Sequence, residues 1–307
     1  MSVVLLVVGL ALAAVGGDRF VRGSVGLASW LRVPPGIIGA TVAAFATSSP
    51  ELTVGVLAAI DGRPDLALGD AMGSNMVNLS VVFGFTLLLY AISVHWREIR
   101  RELLTFVVAL GAILVVGSDG RINRAEASLM ILVFVLWLFR MAREARTVRS
   151  HVEILGDSDH RTVVVDVAVG LLMLVVAGRI IVQGGKEIGE YLGWNQFVVG
   201  IVIVAIGTSA PELVTTLVAL RRGEIGIGVG TVLGSNIFNS LFIVGIVGTI
   251  QPIEVDRRMT GAALGMSLVA SGLLIPGRRG ELRRMRGVLL LAAYAVFIVV
   301  VLASQRH

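Results

Sequence analysis

Two short stretches of this 307-residue chain put chemistry where an apolar helix has no use for it: ATSSPEL at 46–52 and GTSAPEL at 207–213. A proline inside a helix removes one amide donor and displaces the carbonyl four residues earlier. Those carbonyls belong to Ala46 and Gly207. In hydrocarbon an unpaired carbonyl is costly, so something must satisfy it, and a cation can. Pro50 and Pro211 also suit the first turn of a new half-helix, where the missing amide costs nothing. Each stretch then reads as two half-helices meeting at mid-membrane. The first ends with free carbonyls near Ala44 to Thr47, or Ala205 to Thr208; the second begins with Glu51 or Glu212. Carbonyls, hydroxyls and a carboxylate at one point make an all-oxygen site, the chemistry of Ca2+ and Na+ rather than of Zn2+ or copper. The plainer alternative makes the two glutamates structural, protonated and hydrogen-bonded between helices. Acids inside a membrane are expensive, and two at matching positions weigh towards function.

A second constellation follows each first one, GSNMVN at 73–78 and GSNIFN at 234–239. Ser74 and Asn78 are four apart, as are Ser235 and Asn239, so each pair shares a helix face. Such residues also glue membrane helices together, and Gly73 and Gly234 permit close approach. Asn75 and Asn236 point about 100° away and suit helix-to-helix contacts. Asp70 has no acidic counterpart, because Thr231 holds the equivalent position. It reads either as a third charge near the site or, preferably, as a helix-start residue close to the membrane boundary.

The elements that must position these groups are apolar. The chain is 56% hydrophobic and 15% charged, with mean hydropathy +0.89. A soluble domain has roughly a quarter of its residues charged. Several stretches reach the length that crosses about 30 Å of hydrocarbon as a helix. The first begins at residue 2 and reads as a membrane helix rather than a removable signal, since no small-residue cleavage site ends it. With no cysteine, disulfides, thiolate metal sites and cysteine catalysis are excluded. The net charge of +5 comes from arginines in short loops between apolar segments, which gives no case for nucleic-acid binding.

Apolar runs read against charged breaks predict an all-α polytopic membrane protein of ten spans, near 2–30, 36–60, 65–91, 102–117, 125–140, 163–190, 197–220, 225–249, 260–275 and 286–304. The polar segment 140–161 is a linker loop between a first five-helix half, 1–139, and a second, 162–307. A shift of 161 residues superposes motif 39–84 on motif 200–245 without a gap, with 15 of 46 positions identical. Those identities are mostly polar or special residues, among them Thr47/Thr208, Ser48/Ser209, Pro50/Pro211, Glu51/Glu212, Ser74/Ser235 and Asn78/Asn239. Five spans per half is odd, so the second half enters the membrane from the opposite side, giving an inverted repeat. With the termini outside, 18 of the 26 Lys and Arg residues fall in inward segments, which makes 140–161 cytoplasmic. His95, His151, His160 and His307 all fall in loops or the tail, away from any relay through the membrane. Asp18, Arg19 and Arg179 are expected at the membrane boundary, without a direct role.

The paired motifs resemble the two α-repeats of the calcium/cation antiporter superfamily, most closely its prokaryotic sodium/calcium exchanger branch. The resemblance rests on ATSSPEL…GSNMVN and GTSAPEL…GSNIFN and covers both halves. It implies ten transmembrane helices, a diamond of four ion sites around paired glutamates, and a gliding pair of long helices, the first and sixth spans, over an eight-helix core. Carried over, Glu51 and Glu212 are shared Ca2+ ligands, and Thr47 and Thr208 add carbonyls. Ala44, Thr47, Ser48, Glu51 and Ser74 form one outer Na+ site, and Ala205, Thr208, Ser209, Glu212 and Ser235 its mirror. Asn78 and Asn239 border the central position. The chain departs from the pattern at Asn239, where some archaeal members carry an acid, and at Asp70, where asparagine is common.

The expected activity is Ca2+/Na+ antiport in the cytoplasmic membrane of a cell, with the bilayer as surroundings and neither a cofactor nor an obligatory protein partner. Ca2+/H+ exchange on the same glutamates is the rival, although the more acidic or histidine-bearing signature usual in proton-coupled relatives is absent. Enzyme readings fail on their residues. LGD at 68–70 lacks the preceding glycine and a second mid-span aspartate, no HExxH exists, and GTSAP has no membrane-embedded base.

Overall fold

The computed structural model describes residues 2–90, 92–94, 96–148, 160–191, 205–277 and 280–304. The middle of the expected linker loop, the first residues of the expected seventh span, the opening of motif 200–245, and His95, His151 and His307 lie outside the described residues.

The first half runs α1 (Ser2–Leu31), α2 (Pro35–Ile38), a π-helical turn Gly39–Ala43, α3 (Ala44–Thr47), α4 (Ser49–Ile60) and α5 (Pro64–Met76). A second π segment (Val77–Val82), α6 (Phe83–Leu89), β1 (Ile92–Ser93), α7 (Trp96–Val116), β2 (Arg121–Ile122) and α8 (Arg124–Val148) complete it. The second half repeats this order with α9 (His160–Tyr191), α10 (Ala205–Thr208), α11 (Ala210–Arg221), α12 (Ile225–Ile237) and a π segment (Phe238–Ile243). It ends with α13 (Val244–Ile250), β3 (Ile253–Glu254), α14 (Arg257–Leu273), β4 (Glu281–Leu282) and α15 (Arg284–Ser304).

Five described helices are long and apolar enough to cross a membrane: Ala67–Leu89, Arg124–Thr147, His160–Ala177, Ile225–Ile250 and Arg284–Val301. The bent pair Pro35–Thr47 and Ser49–Ile60 makes a sixth. Two further expected spans fall short of this for physical reasons: α7 spends its first two turns on charged residues, and α14 has only 17 residues. Helix α1 is 30 residues long and carries no charged residue before Asp18.

The distribution of side chains is the reverse of a water-soluble protein's. Outward faces carry Val108, Val115, Leu172 and Val299, each more than half exposed, while Glu51, Glu212 and the motif asparagines are fully enclosed. That arrangement suits a hydrocarbon surround with a polar interior. Helices α1 and α9 pack along each other through glycines that leave no room for a side chain. A Cβ on Gly23 would lie 2.6 Å from the Val167 nitrogen, and one on Gly170 2.5 Å from the Phe20 nitrogen. Close backbone approach of this kind is how helices associate where no water drives them together.

Candidate functional site

Each Pro-Glu stretch makes a shallow break. Only Ser48 (φ −85°, ψ 9°) and Ser209 (φ −82°, ψ 6°) leave helical geometry, each between two half-helices. In the first half the bend is 45°. The prolines sit in the first turn of α4 and α11, as expected. The carbonyls at the break are less free than the sequence suggests. Ala44 O accepts from the Ser48 amide (3.0 Å), and Ala205 O from the Ser209 amide (3.1 Å). Ala46 O, displaced by Pro50, accepts from the Ser49 hydroxyl at 2.8 Å and from a backbone N–H at the break, so protein donors rather than a cation satisfy it. Ala210 stands at the position equivalent to Ser49, so Gly207 O has no such hydroxyl.

The two breaks face each other, and the polar side chains interlock across the halves. The Ser48 hydroxyl donates to Glu212 Oε1 at 2.9 Å, and the Ser209 hydroxyl reaches Glu51 Oε1 at 3.4 Å. Ser235 donates to the same Glu212 Oε1 at 3.1 Å, with Ala44 O at 3.5 Å as its alternative acceptor. The Thr47 and Thr208 hydroxyls lie 3.4 Å and 3.3 Å from the carbonyls of Ala44 and Ala205. All these serines and both glutamates are fully buried, and Thr208 nearly so.

This geometry regroups the expected sets. Ser48 and the Ala44 carbonyl stand with Glu212 and Ser235, and Ser209 stands with Glu51; the expectation had grouped each serine with the glutamate of its own half. The reason lies in the break itself. Ser48 is the one residue between two half-helices, so its side chain leaves along the bend towards the facing half, whereas Glu51 lies in the first turn of α4.

A second layer lies on α5, α12 and the π segments that follow them. Asn75 donates to the Ser240 hydroxyl at 2.8 Å and Asn78 to Asn236 Oδ1 at 3.1 Å, both across the halves. The predicted helix-to-helix role of Asn75 and Asn236 is thus met, and Asn78 shares it. Asn78 and Asn239 lie in the π segments, which no sequence signal announced. π turns inside α-helices recur at functional sites because they turn side chains away from the regular face.

Several enclosed polar atoms have no protein partner: Glu51 Oε2, Glu212 Oε2, Ser74 Oγ, Asn78 Oδ1 and both amide atoms of Asn239. Such orphans are costly in an apolar interior, so lone pairs gathered in one place fit a cation or water. Ser240 and Ser49 were missed by the sequence reading; Ser240 has no counterpart at Leu79, and Ser49 none at Ala210. Asp70 is not the helix-start residue preferred from sequence. Helix α5 starts at Pro64, which puts Asp70 in its second turn, with Oδ1 enclosed and unpartnered.

A polytopic helical protein with enclosed acids and facing helix breaks belongs to the class of membrane transporters, and the comparisons agree. A family model described as sodium/calcium exchanger protein matches residues 1–142 and 162–303. The chain belongs to that family, which is one of transporters rather than enzymes. It is 32% identical to inner membrane protein YrbG of Escherichia coli (strain K12), over 97% of this chain and 96% of that one. It is 27% identical to sodium/calcium exchanger MaX1 of Methanosarcina acetivorans, over 98% of both. The solved sodium-calcium exchanger NCX_Mj, soaked with Na+ and Sr2+, superposes with a TM-score of 0.84 at 27% identity, over 97% of this chain and 98% of that one. Family and fold together make this a membrane antiporter of Ca2+ and other cations.

Proposed function

We propose that the chain exchanges Ca2+ for Na+ by alternating access at a site built on Glu51 and Glu212. The observation that carries this reading is the pair of crossed contacts, Ser48 to Glu212 and Ser209 to Glu51, because they bring both carboxylates and both helix breaks to one enclosed point. Two carboxylates supply a charge of −2, which balances one Ca2+ or two Na+. Ions that share the carboxylates must compete, and competition is the minimal requirement for exchange. A serine hydroxyl that donates to a carboxylate can rotate and present a lone pair to an arriving cation. Ser48, Ser209 and Ser235 can therefore change from carboxylate donors to ion ligands without moving their backbones. Ser74 Oγ and the outer oxygens Glu51 Oε2 and Glu212 Oε2 offer further lone pairs, and Thr47, Thr208, Ala44 and Ala205 border the same point. Asn78 and Asn239 complete a neutral inner position.

Strand pairing supports an inverted repeat of ten spans. The shift of 161 residues carries β1 onto β3, yet β1 pairs with β4 and β3 with β2. Helix α7, 21 residues and about 30 Å long, separates β1 from β2. Repeat-equivalent strands therefore lie at opposite ends of the molecule, as inversion requires. The β1–β4 end also gathers Arg97, Arg100, Arg101, Arg283, Arg284 and Arg286, which favours it as the cytoplasmic side. The close α1–α9 pair is suited to move as one body against the rest.

Ca2+ uptake into proteoliposomes tests the reading, with an outward Na+ gradient and a pH gradient imposed separately. Na+-driven uptake that is lost in Glu51→Gln and in Glu212→Gln supports it. Uptake driven by the pH gradient alone transfers the protein to proton coupling, and uptake that persists in both variants removes the glutamates from the mechanism.

A further inference from the structure

The second motif helices of the two halves differ in chemistry at the equivalent positions Asp70 and Thr231. On α12, Thr231 is fully buried and its hydroxyl donates to the Ile227 carbonyl of its own helix at 2.8 Å, so it asks nothing of a ligand. On α5 the same position is Asp70, whose Oδ1 is enclosed without a partner. Among the described residues no cationic side chain pairs with it. Asp70, Ser74 and Asn78 follow one another at four-residue intervals and share a face. Ser74, fully buried, has an unpartnered hydroxyl on that face. At about 1.5 Å per residue, Asp70 lies about 6 Å along the helix from Ser74 and about 9 Å from Pro64, where the exposed α4–α5 turn begins. Asp70 and the two glutamates do not converge on one ion, since among the described residues no group of three acidic or imidazole side chains is close enough to hold a metal together.

We propose that Asp70 is a separate station for a monovalent cation, beside the Ser74 hydroxyl and one helical turn towards the α4–α5 mouth, filled while Ca2+ occupies the glutamate pair. This rests on the reading of Glu51 and Glu212 given above. A lone carboxylate with one hydroxyl is too poor a set for Ca2+, which takes about 6–8 oxygens and favours several charges. It balances one Na+ or K+. Two enclosed carboxylates and one partly enclosed one then match one divalent and one monovalent ion, and the loaded form stays neutral where burying net charge is expensive.

Equilibrium binding to the purified full-length protein in detergent tests this, with radioactive sodium and radioactive rubidium (for potassium) as separate tracers at saturating Ca2+. The wild type is expected to retain about one equivalent of one tracer, and to lose at least about tenfold of its tracer affinity in Asp70→Asn and in Asp70→Thr, the residue of the other half. Which tracer is held distinguishes Na+ from K+. Should a variant lose Ca2+ along with the tracer, Asp70→Glu decides: recovered tracer binding supports the station, and none overturns it. No tracer in the wild type, or unchanged tracer affinity in Asp70→Asn, also overturns it. Ca2+ binding unaffected by Glu51→Gln and Glu212→Gln would instead refute the reading of the glutamate pair, whatever Asp70 does.

Discussion

Ser48 donates to Glu212 across 164 residues of sequence at 2.9 Å, while the repeat-equivalent Ser209 reaches Glu51 at only 3.4 Å. The crossed pair is therefore unequal. A hydrogen bond to a charged group contributes about 1.5–3 kcal/mol, and one near 3.5 Å contributes little. Ser48→Ala should therefore destabilise the ion-free protein by about 1.5–3 kcal/mol, and Ser209→Ala by clearly less. Melting temperatures in detergent without Ca2+ or Na+ measure both. A larger loss from Ser209→Ala would show that the inequality of the two contacts has no bearing on stability.

The Ser49–Ala46 contact gives a coupled prediction. Pro50 leaves Ala46 O without its helical donor, and the Ser49 hydroxyl replaces it at 2.8 Å. Ser49→Ala removes that hydroxyl and leaves Ala46 O with only the backbone N–H it accepts at the break, so it should destabilise the fold by about 0.5–1.5 kcal/mol. Adding Pro50→Ala restores the amide to the helix, so Ser49→Ala/Pro50→Ala should be more stable than Ser49→Ala alone. Melting temperatures of the single and double variants in detergent form the cycle, with a coupling of at least about 0.5 kcal/mol expected between neighbours. Additive effects would mean that the hydroxyl does not take over the amide's place.

Gly234 lies where α12 meets the first half, and a Cβ there would come within 2.3 Å of Ala40 O and 2.7 Å of the Ala40 carbonyl carbon. Backbone cannot swing aside as a flexible side chain can. Gly234→Ala should therefore cost about 2 kcal/mol or more, at the upper end of what overpacking does, and weaken exchange by displacing Ser235 next to it. Gly265→Ala, inside α14 and meeting nothing within 4 Å, serves as the control and should melt at or slightly above the wild type. Equal melting temperatures for the two variants would contradict the tight α12 contact.

What the sequence made legible was whatever repeats. Glu51, Glu212 and their serines stood out because identical polar residues recurred at a fixed shift in an apolar background, and the structure brings them together. The partners across the interface did not stand out. The set carried over from the resemblance puts Ser48 with Glu51, but the side chain at a helix break points out of its own half, and only the facing half decides what it meets. The π segments that carry Asn78 and Asn239 escaped because one extra residue per turn leaves no signature in residue type. Ser49 escaped because its counterpart is Ala210, so a reading built on symmetry passed over it. Asp70 was visible for its asymmetry, and the expected start of its span at 65 agrees with α5 from Pro64, which leaves Asp70 in the second turn rather than at the helix start.

Asp18 on α1 pairs with Arg222, just past the end of α11, with its Oδ1 3.0 Å from Nε, and Arg22 lies 3.8 Å from Asp18 and 3.7 Å from Asp166 of α9. Asp18 and Arg222 are 46% and 35% exposed, so the pair is worth at most about 1 kcal/mol, and its loss should leave the melting temperature nearly unchanged. Its position matters more than its strength, because it joins the α1–α9 pair to a helix that carries Glu212. If that pair moves as a body during exchange, the contact must break in each cycle. Asp18→Asn should then raise the rate of Na+-driven Ca2+ exchange, by no more than about fivefold for a barrier lowered by about 1 kcal/mol. The acceleration should shrink as ionic strength rises, since salt already weakens the wild-type pair. An unchanged rate at low salt would mean that α1 and the end of α11 stay together throughout the cycle.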